Sequence, residues 1–514
     1  MSSATTREAP AEGPLSGLAK HSAIYSAAPL IRQLISVGMV RLYTEWLGNA
    51  GFGAKEIADL WLIALQQVLG LNVLGSMVRF YFDKKSDEDR AAVVTSATLT
   101  VSGTAWVLCG LAFLFSPQLV TPMLGSGKEL PRTELLTILQ LTLVLIPFTL
   151  SSMAGFYYLQ ILKRSALFTA IQTGKLFFEV GLNFLLIGYL GLGVKGFLIS
   201  MLAGEAITSL LLTGWMLWTL KPRIDLAILK PVLKYATPLV AVGLCQLILH
   251  FADRRLLEHF SPDESSLGLV GVYGLGYKIA FLVTNMMLGP FLQIWQPWIF
   301  AVEDEEERSA LISQVGTYAV LSIAVASLGV ISFGRQGAIL LAKDPTFWES
   351  YRIIPFIAAG YVFWALYHVA QTPLFIDKKT GRIFVINLAA VVFNLAACAW
   401  LIPRYQMVGA AIATLLTFVC LTSMMMWASH RRAHVSFELG RIGAILACIV
   451  VAGGFALWID GLDSDARIPI WAALAAKAGL FLTILGVFWI AVLRTAERTR
   501  FRAWIDERRG ALGR

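Results

Sequence analysis

Apolar residues run through this chain in long blocks separated by short charged segments, almost from end to end. Fourteen blocks stand at about 18–42, 56–80, 91–116, 135–157, 164–190, 195–220, 235–257, 267–296, 309–333, 353–376, 382–402, 409–430, 439–460 and 468–493. About 20 apolar residues in a helix cross the ~30 Å hydrocarbon layer. The blocks are continuously apolar, whereas barrel strands alternate in ~10-residue units. The pattern therefore predicts an all-α integral membrane protein of about 14 transmembrane helices.

The second six blocks read as a repeat of the first six. FYFDKKSDEDRAA, from Phe80, is a helix end, a charged loop and a helix start; WIFAVEDEEERSA, from Trp298, follows the same plan, with Arg308 standing 218 residues after Arg90. Pro29 near the start of the first block is matched by Pro238 in the seventh, and a proline there removes a helix hydrogen bond and provides a kink. Asn183 and Asn394 each precede a short turn, followed by GVKGFLIS from Gly193 and MVGAAIAT from Met407. Two pseudo-symmetric six-helix lobes follow, each running the same way across the membrane, with blocks thirteen and fourteen unpaired. The expected organisation is a disordered cytoplasmic tail over 1–17, an N-lobe over 18–220, a cytoplasmic linker over 221–234, a C-lobe over 235–431, two further helices over 432–493 and a basic cytoplasmic tail over 494–514.

Composition agrees: 57% of residues are hydrophobic and 15% charged, against roughly a quarter charged in soluble domains. The net charge of +9 sits in loops and tails and reports topology, so it is no sign of nucleic-acid binding. Lys84, Lys85, Arg90, Lys221, Arg223, Arg308, Arg382 and Arg431 lie in or beside loops after even-numbered blocks, and the opposite loops hold about half as many basic residues. Both termini are therefore expected in the cytoplasm, with the chain in the bacterial inner membrane. The five cysteines all fall inside blocks without paired spacing, so neither disulfides nor a metal site is expected.

The opening Pro-Leu helix, LGLNVLGSMVRFYF ending at Phe82, Asp253-Arg254, VYGLGYKIA from Val272 and the VGAAIAT turn together resemble the polysaccharide transporter (Wzx-like) family of lipid-linked oligosaccharide flippases, in the multidrug/oligosaccharidyl-lipid/polysaccharide exporter (MOP) superfamily. The resemblance covers blocks one to twelve. It implies two lobes around a V-shaped cavity lined chiefly by the first, second, seventh and eighth helices. It also implies an undecaprenyl-diphosphate-linked oligosaccharide as cargo, for O-antigen, capsule or exopolysaccharide synthesis, and a polysaccharide polymerase as partner.

Charges inside a bilayer cost about 2.5 kcal/mol or more, so each is a functional candidate. Arg32, near mid-depth in the first block, suits bidentate grip of a phosphate, or else pairs with a carboxylate. Arg41 stands one turn before Glu45, the spacing of a local ion pair at the outer membrane surface, with a gate contact as the functional alternative. Arg79 reads as an interfacial anchor or a ligand. Asp253 and Arg254, neighbours on a helix, are expected to serve different partners, as a gate ion pair or a solvated helix end. Lys278, with no local counter-ion, is a candidate headgroup contact on the eighth helix. Lys175, Glu179 and Asn183 recur every fourth residue as one polar stripe, either a brace or a proton or sodium relay, with Glu205 a second carboxylate. Trp61, Trp295, Trp298, Trp364 and Tyr367 are candidates to stack on sugars, or else interface-belt or packing residues.

GSGKE at Gly125–Glu129 lacks the final Ser or Thr of a phosphate loop, and the external loops at about 117–134 and 334–351 hold no acid-base constellation, so no enzyme and no cofactor are expected. The alternatives to glycan flipping are a lipid II flippase or an ion-coupled multidrug exporter. An excess of Arg32, Arg41, Arg79, Arg254 and Lys278 over Asp253 favours an anionic cargo.

Overall fold

The computed structural model describes residues 14–492 and residue 499, apart from 126–128, 163, 262–265, 284–286, 289–290, 293–294, 296–298, 300–301, 303, 378, 434, 436 and 465–468. The side chains of Pro29, Arg32, Pro238 and Trp298 lie outside the described residues, as do the expected tail over 494–514 save residue 499 and most of that over 1–17. Among the described residues there is no strand. The chain is a multi-pass helical membrane protein. Eleven described helical stretches are long and apolar enough to cross a bilayer, and Ser266–Leu282 is a shorter apolar helix. Leu210, Leu211, Val450 and Trp471 stay 70–72% exposed on helix faces, a surface that suits lipid and not water.

In chain order the helices are α1 (Pro14–Gln66), α2 (Asn72–Asp83), α3 (Asp87–Leu114), α4 (Ser116–Leu124), α5 (Arg132–Ile161), α6 (Ser165–Asn183), α7 (Gly193–Thr208), α8 (Gly214–Leu220), α9 (Leu226–Phe260), α10 (Ser266–Val283), α11 (Glu305–Leu341), α12 (Ile354–Ala370), α13 (Thr372–Ile376), α14 (Thr380–Ala433), α15 (Leu439–Ser464) and α16 (Ile470–Val487). The fourteen expected spans do not map one to one. Helix runs on through most of the expected loop at 43–55, broken at Gly48 (φ 64°), and α14 carries two expected spans joined at Gln406 (φ 47°). At Gly48 the missing Cβ removes the usual cost of left-handed backbone.

The chain divides into two units, one holding residues to Met39, Leu65–Ser116 and Gln140–Thr237, the other Val40–Ala64, Pro117–Leu139 and Pro238 onward. In the first, α2 packs on α3 and α6 on α7. Thr95 and Ser96 of α3 donate to the Arg223 carbonyl at 2.8 and 3.1 Å, tying the segment after α8 to this unit. In the second, α12 packs against both α11 and α14 and is its most buried helix, with Tyr361, Ala365 and Tyr367 wholly enclosed. Helices α15 and α16 join it through a buried pair. Lys477 contacts Asp460 and also donates to Gln336 of α11 at 3.2 Å.

The repeat is visible in hydrogen bonds. Ser86 caps α3 by accepting from the Asp89 amide at 3.1 Å, and Asp304 caps α11 by accepting from the Glu307 amide at 2.9 Å. Arg90 reaches back six residues to the Lys84 carbonyl at 3.0 Å, and Arg308 reaches back six to Val302 at 3.1 Å. Farther on, Asn183 accepts from Ser200 at 2.5 Å and Asn394 donates to Thr417 at 3.0 Å, so each buried amide finds a hydroxyl on the next span.

Candidate functional site

In the second unit, the leg of α1 after Gly48 lies directly on α10. A Cβ at Gly53 would stand 1.8 Å from the Leu267 carbonyl oxygen, and one at Gly271 2.4 Å from that of Asn49. Only glycine permits backbones to close this far. Glu56, one turn beyond Gly53, is thereby carried to Lys278, whose Nζ donates to Glu56 Oε1.

Around that contact lies a network. Arg254 Nε is 3.6 Å from Glu56 Oε2, and Lys55 Nζ is 3.8 Å from Glu56 Oε1 while donating to Asp59 at 2.5 Å. Arg254 Nη1 stands 3.5 Å from Asp253 Oδ1 and donates to the His250 carbonyl at 3.0 Å. Its guanidinium lies 4.3 Å from the Tyr277 ring centroid. Asp253 also accepts from the Tyr273 hydroxyl and, at 3.4 Å, from Thr414. A lone buried ion is penalised by several kcal/mol, and here three cations meet three carboxylates. Glu56 and Arg254 are almost fully buried, whereas the Lys278 side chain keeps 35% of its surface.

This arrangement corrects several expectations. The balance of Arg32, Arg41, Arg79, Arg254 and Lys278 over Asp253 does not describe the cluster, because Glu56 and Asp59 belong to it and Arg41 and Arg79 do not. Lys278 has a counter-ion, Glu56, 222 residues away in sequence. Asp253 and Arg254 take different partners, Tyr273 and Thr414 for the carboxylate and Glu56 and the His250 carbonyl for the guanidinium, and they also meet each other at 3.5 Å. Glu45 pairs with Lys343 at 2.6 Å, and Arg41 donates to the Leu340 carbonyl at 3.0 Å, so the local Arg41–Glu45 pair gives way to contacts with the end of α11 and the segment after it. Arg79 is exposed and stacks 4.7 Å from the Tyr235 ring centroid. Trp295, Trp364 and Tyr367 are buried in packing.

Glu56 had a legible signal: Lys55, Glu56 and Asp59 interrupt an apolar run with ion-pair spacing. Placing the loop at 43–55 hid it. A cavity of about 670 Å³ in the same unit is lined by Gly48, Asn49, Glu129, Thr346 and Glu349. Glu129 there accepts from the Gly268 amide at 2.8 Å at the start of α10, and burial raises its carboxyl pKa.

The first unit holds a smaller cluster. Lys175 on α6 contacts Glu205 on α7 and lies 3.6 Å from Glu179, and Ser152 donates to Glu205. The expected stripe divides: Asn183 turns to Ser200, and Glu205 takes the central place given to Glu179.

Residues 81–325 match the sequence profile of a family described as "Polysaccharide biosynthesis protein". No curated relative matches the sequence. Among solved structures, the chain is similar to the lipid II flippase MurJ in an inward closed conformation, with TM-score 0.73, 14% identity, and 92% of this chain and 100% of that one covered. It is also similar to an inward-facing multidrug resistance MATE family transporter of the MOP superfamily, with TM-score 0.65, 14% identity and coverage of 80% and 98%. A MOP superfamily transporter from Pyrococcus furiosus, titled for the reverse polarity of its binding pocket, gives TM-score 0.55, 15% identity and coverage of 81% and 96%. The chain has the fold of that superfamily.

Proposed function

We propose that this protein is an inner-membrane flippase, with both termini cytoplasmic, that turns undecaprenyl-diphosphate-linked oligosaccharide units from the cytoplasmic to the outer leaflet by alternating access. The reading rests on one observation: Lys278 and Arg254 share a single carboxylate, Glu56, and Lys278 is a third exposed. A diphosphate offers at least the charge that Glu56 offers. It replaces the carboxylate on Lys278 and Arg254, and Glu56 turns to Lys55, already 3.8 Å away. Exchange of like charges avoids leaving a bare ion in the bilayer, and the expelled carboxylate returns when the headgroup departs. Arg32 on the first helix is proposed as a second phosphate contact, and the Lys175, Glu179 and Glu205 group as the ion-coupling element for H⁺ or Na⁺. A glycan polymerase is the proposed downstream partner, and no catalytic chemistry is assigned.

Lys278→Gln is expected to lower surface polysaccharide assembly about tenfold at unchanged abundance, as loss of a charge-assisted phosphate contact requires. Arg32→Ala is expected to abolish assembly and Arg32→Lys to retain part of it. Lipid-linked oligosaccharide should accumulate in the inner leaflet of both loss variants. Accumulation of lipid II instead would assign the cargo to peptidoglycan synthesis. The carboxylates Glu56 and Asp253 favour a second reading, export of organic cations. That reading gains if Lys278→Gln leaves glycan assembly intact while Glu56→Gln abolishes cation efflux.

A further inference from the structure

Two crevices occur at the ends of spans where the loops are richest in Lys and Arg, one in each half of the repeat. In the first unit a crevice of about 580 Å³ between α6 and the α7–α8 segment is lined by Arg164, Leu167, Phe178, Ile207, Leu211 and Trp215. In the second unit one of about 630 Å³ between the two legs of α14 is lined by Arg382, Val385, Ile386, Trp427, Ala428 and Arg431. Arg382 stands 218 residues after Arg164, the offset that relates Arg308 to Arg90. Each crevice pairs an arginine with a tryptophan: Arg164 is 5.9 Å from the Trp215 ring centroid and Arg431 4.3 Å from that of Trp427.

None of Arg164, Arg382 and Arg431 makes an ion pair with a carboxylate among the described residues, and all three are exposed. Every other cation discussed so far within the two charged clusters is matched. An arginine left unmatched at the rim of an apolar crevice, with a tryptophan holding its flat face, presents its remaining donors to an anion at headgroup level. The apolar walls are outward: Leu211, Val385 and Trp427 are 70%, 62% and 59% exposed.

We infer that each half of the chain carries a site for an anionic glycerophospholipid of the leaflet on the basic-loop side, the phosphate held by Arg164 in one and by Arg382 and Arg431 in the other. Charge selects the occupant. A zwitterionic lipid brings an ammonium that finds no carboxylate among the described lining residues of either crevice, while a phosphatidylglycerol brings net negative charge. Length selects it too. Arg164 to Phe178 spans about 20 Å of helix, the reach of one acyl chain in one leaflet, which a long prenyl chain would outrun. Duplication points the same way, since a cargo crossing both leaflets has no use for two equivalent berths on outward faces. The inference is independent of the cargo.

The test is native mass spectrometry of the full-length purified protein after exchange into equal mole fractions of phosphatidylglycerol, phosphatidylethanolamine and undecaprenyl phosphate. Two retained phosphatidylglycerol molecules are expected. Arg164→Ala is expected to weaken retention of one about fivefold, and Arg382→Ala with Arg431→Ala to weaken the other at least as much, as removal of surface cations from an anionic lipid requires. Arg164→Lys keeps the charge and should keep the adduct. Equal retention of phosphatidylethanolamine, displacement by undecaprenyl phosphate, or adduct numbers unmoved by either set of substitutions would overturn the assignment.

Discussion

The two halves of the chain handle charge in one way where helices leave the membrane and in different ways within it. At 84–90 and 302–308 they use the same two hydrogen bonds, an acceptor side chain capping the new helix and an arginine reaching back six residues. Inside, the first unit sets one lysine against two carboxylates, and the second sets three cations against three carboxylates with a lysine one-third exposed at the edge. Exits from the bilayer impose the same demand on both halves, namely to satisfy the amides of a helix start beside water. Interior charges face no such common demand, and under the proposed function their divergence divides the work, the first half weighted toward a cation and the second trading its acid for an anion.

The comparison breaks most visibly in stability. Glu56→Ala leaves Lys278 without its carboxylate and buried Arg254 with Asp253 alone, at 3.5 Å, and is expected to cost about 3 kcal/mol. Glu205→Ala leaves Lys175 with Glu179 at 3.6 Å and should cost less, about 2 kcal/mol. Thermal unfolding in detergent ranks the two, and equal losses would mean the clusters are interchangeable braces. A functional contrast comes next. Glu179→Gln is expected to remove the dependence of vesicle transport on an imposed proton or sodium gradient while leaving headgroup binding intact. A parent-like gradient dependence removes the first cluster from coupling. The smallest effect belongs to the shared feature: Ser86→Ala and Asp304→Ala should each cost about 1 kcal/mol, and a large inequality would show that the caps are not equivalent.

Much of the fold was legible because membrane insertion writes itself into local composition. The expected blocks fall largely on described helix, those at 267–296 and 468–493 only in part, and the offset of 218 residues aligned two arginines that make matching hydrogen bonds. The junctions were less legible. Gly48 and Gln406 let helix continue where charge and small residues suggested loops, and Gln406 carries no glycine to announce its left-handed backbone. The interior site was half legible: Arg254 and Lys278 stand out as ions in apolar runs, but which acid they meet depends on Gly53 and Gly271 bringing distant segments within touching range. Local spacing misled at Arg41 and Glu45 for the same reason, since Leu340 and Lys343 compete for them from nearly 300 residues away.

One buried contact fixes more than its two residues. Lys477 is 1% exposed, and its ammonium is wrapped by Asp460 of α15 and Gln336 of α11. Sliding α16 along α15 by a single turn, about 5.4 Å, would part Lys477 from both partners and drag a bare ammonium into oil. The last two helices are thus keyed to one another like a bolt in a slot, and cannot ratchet past each other.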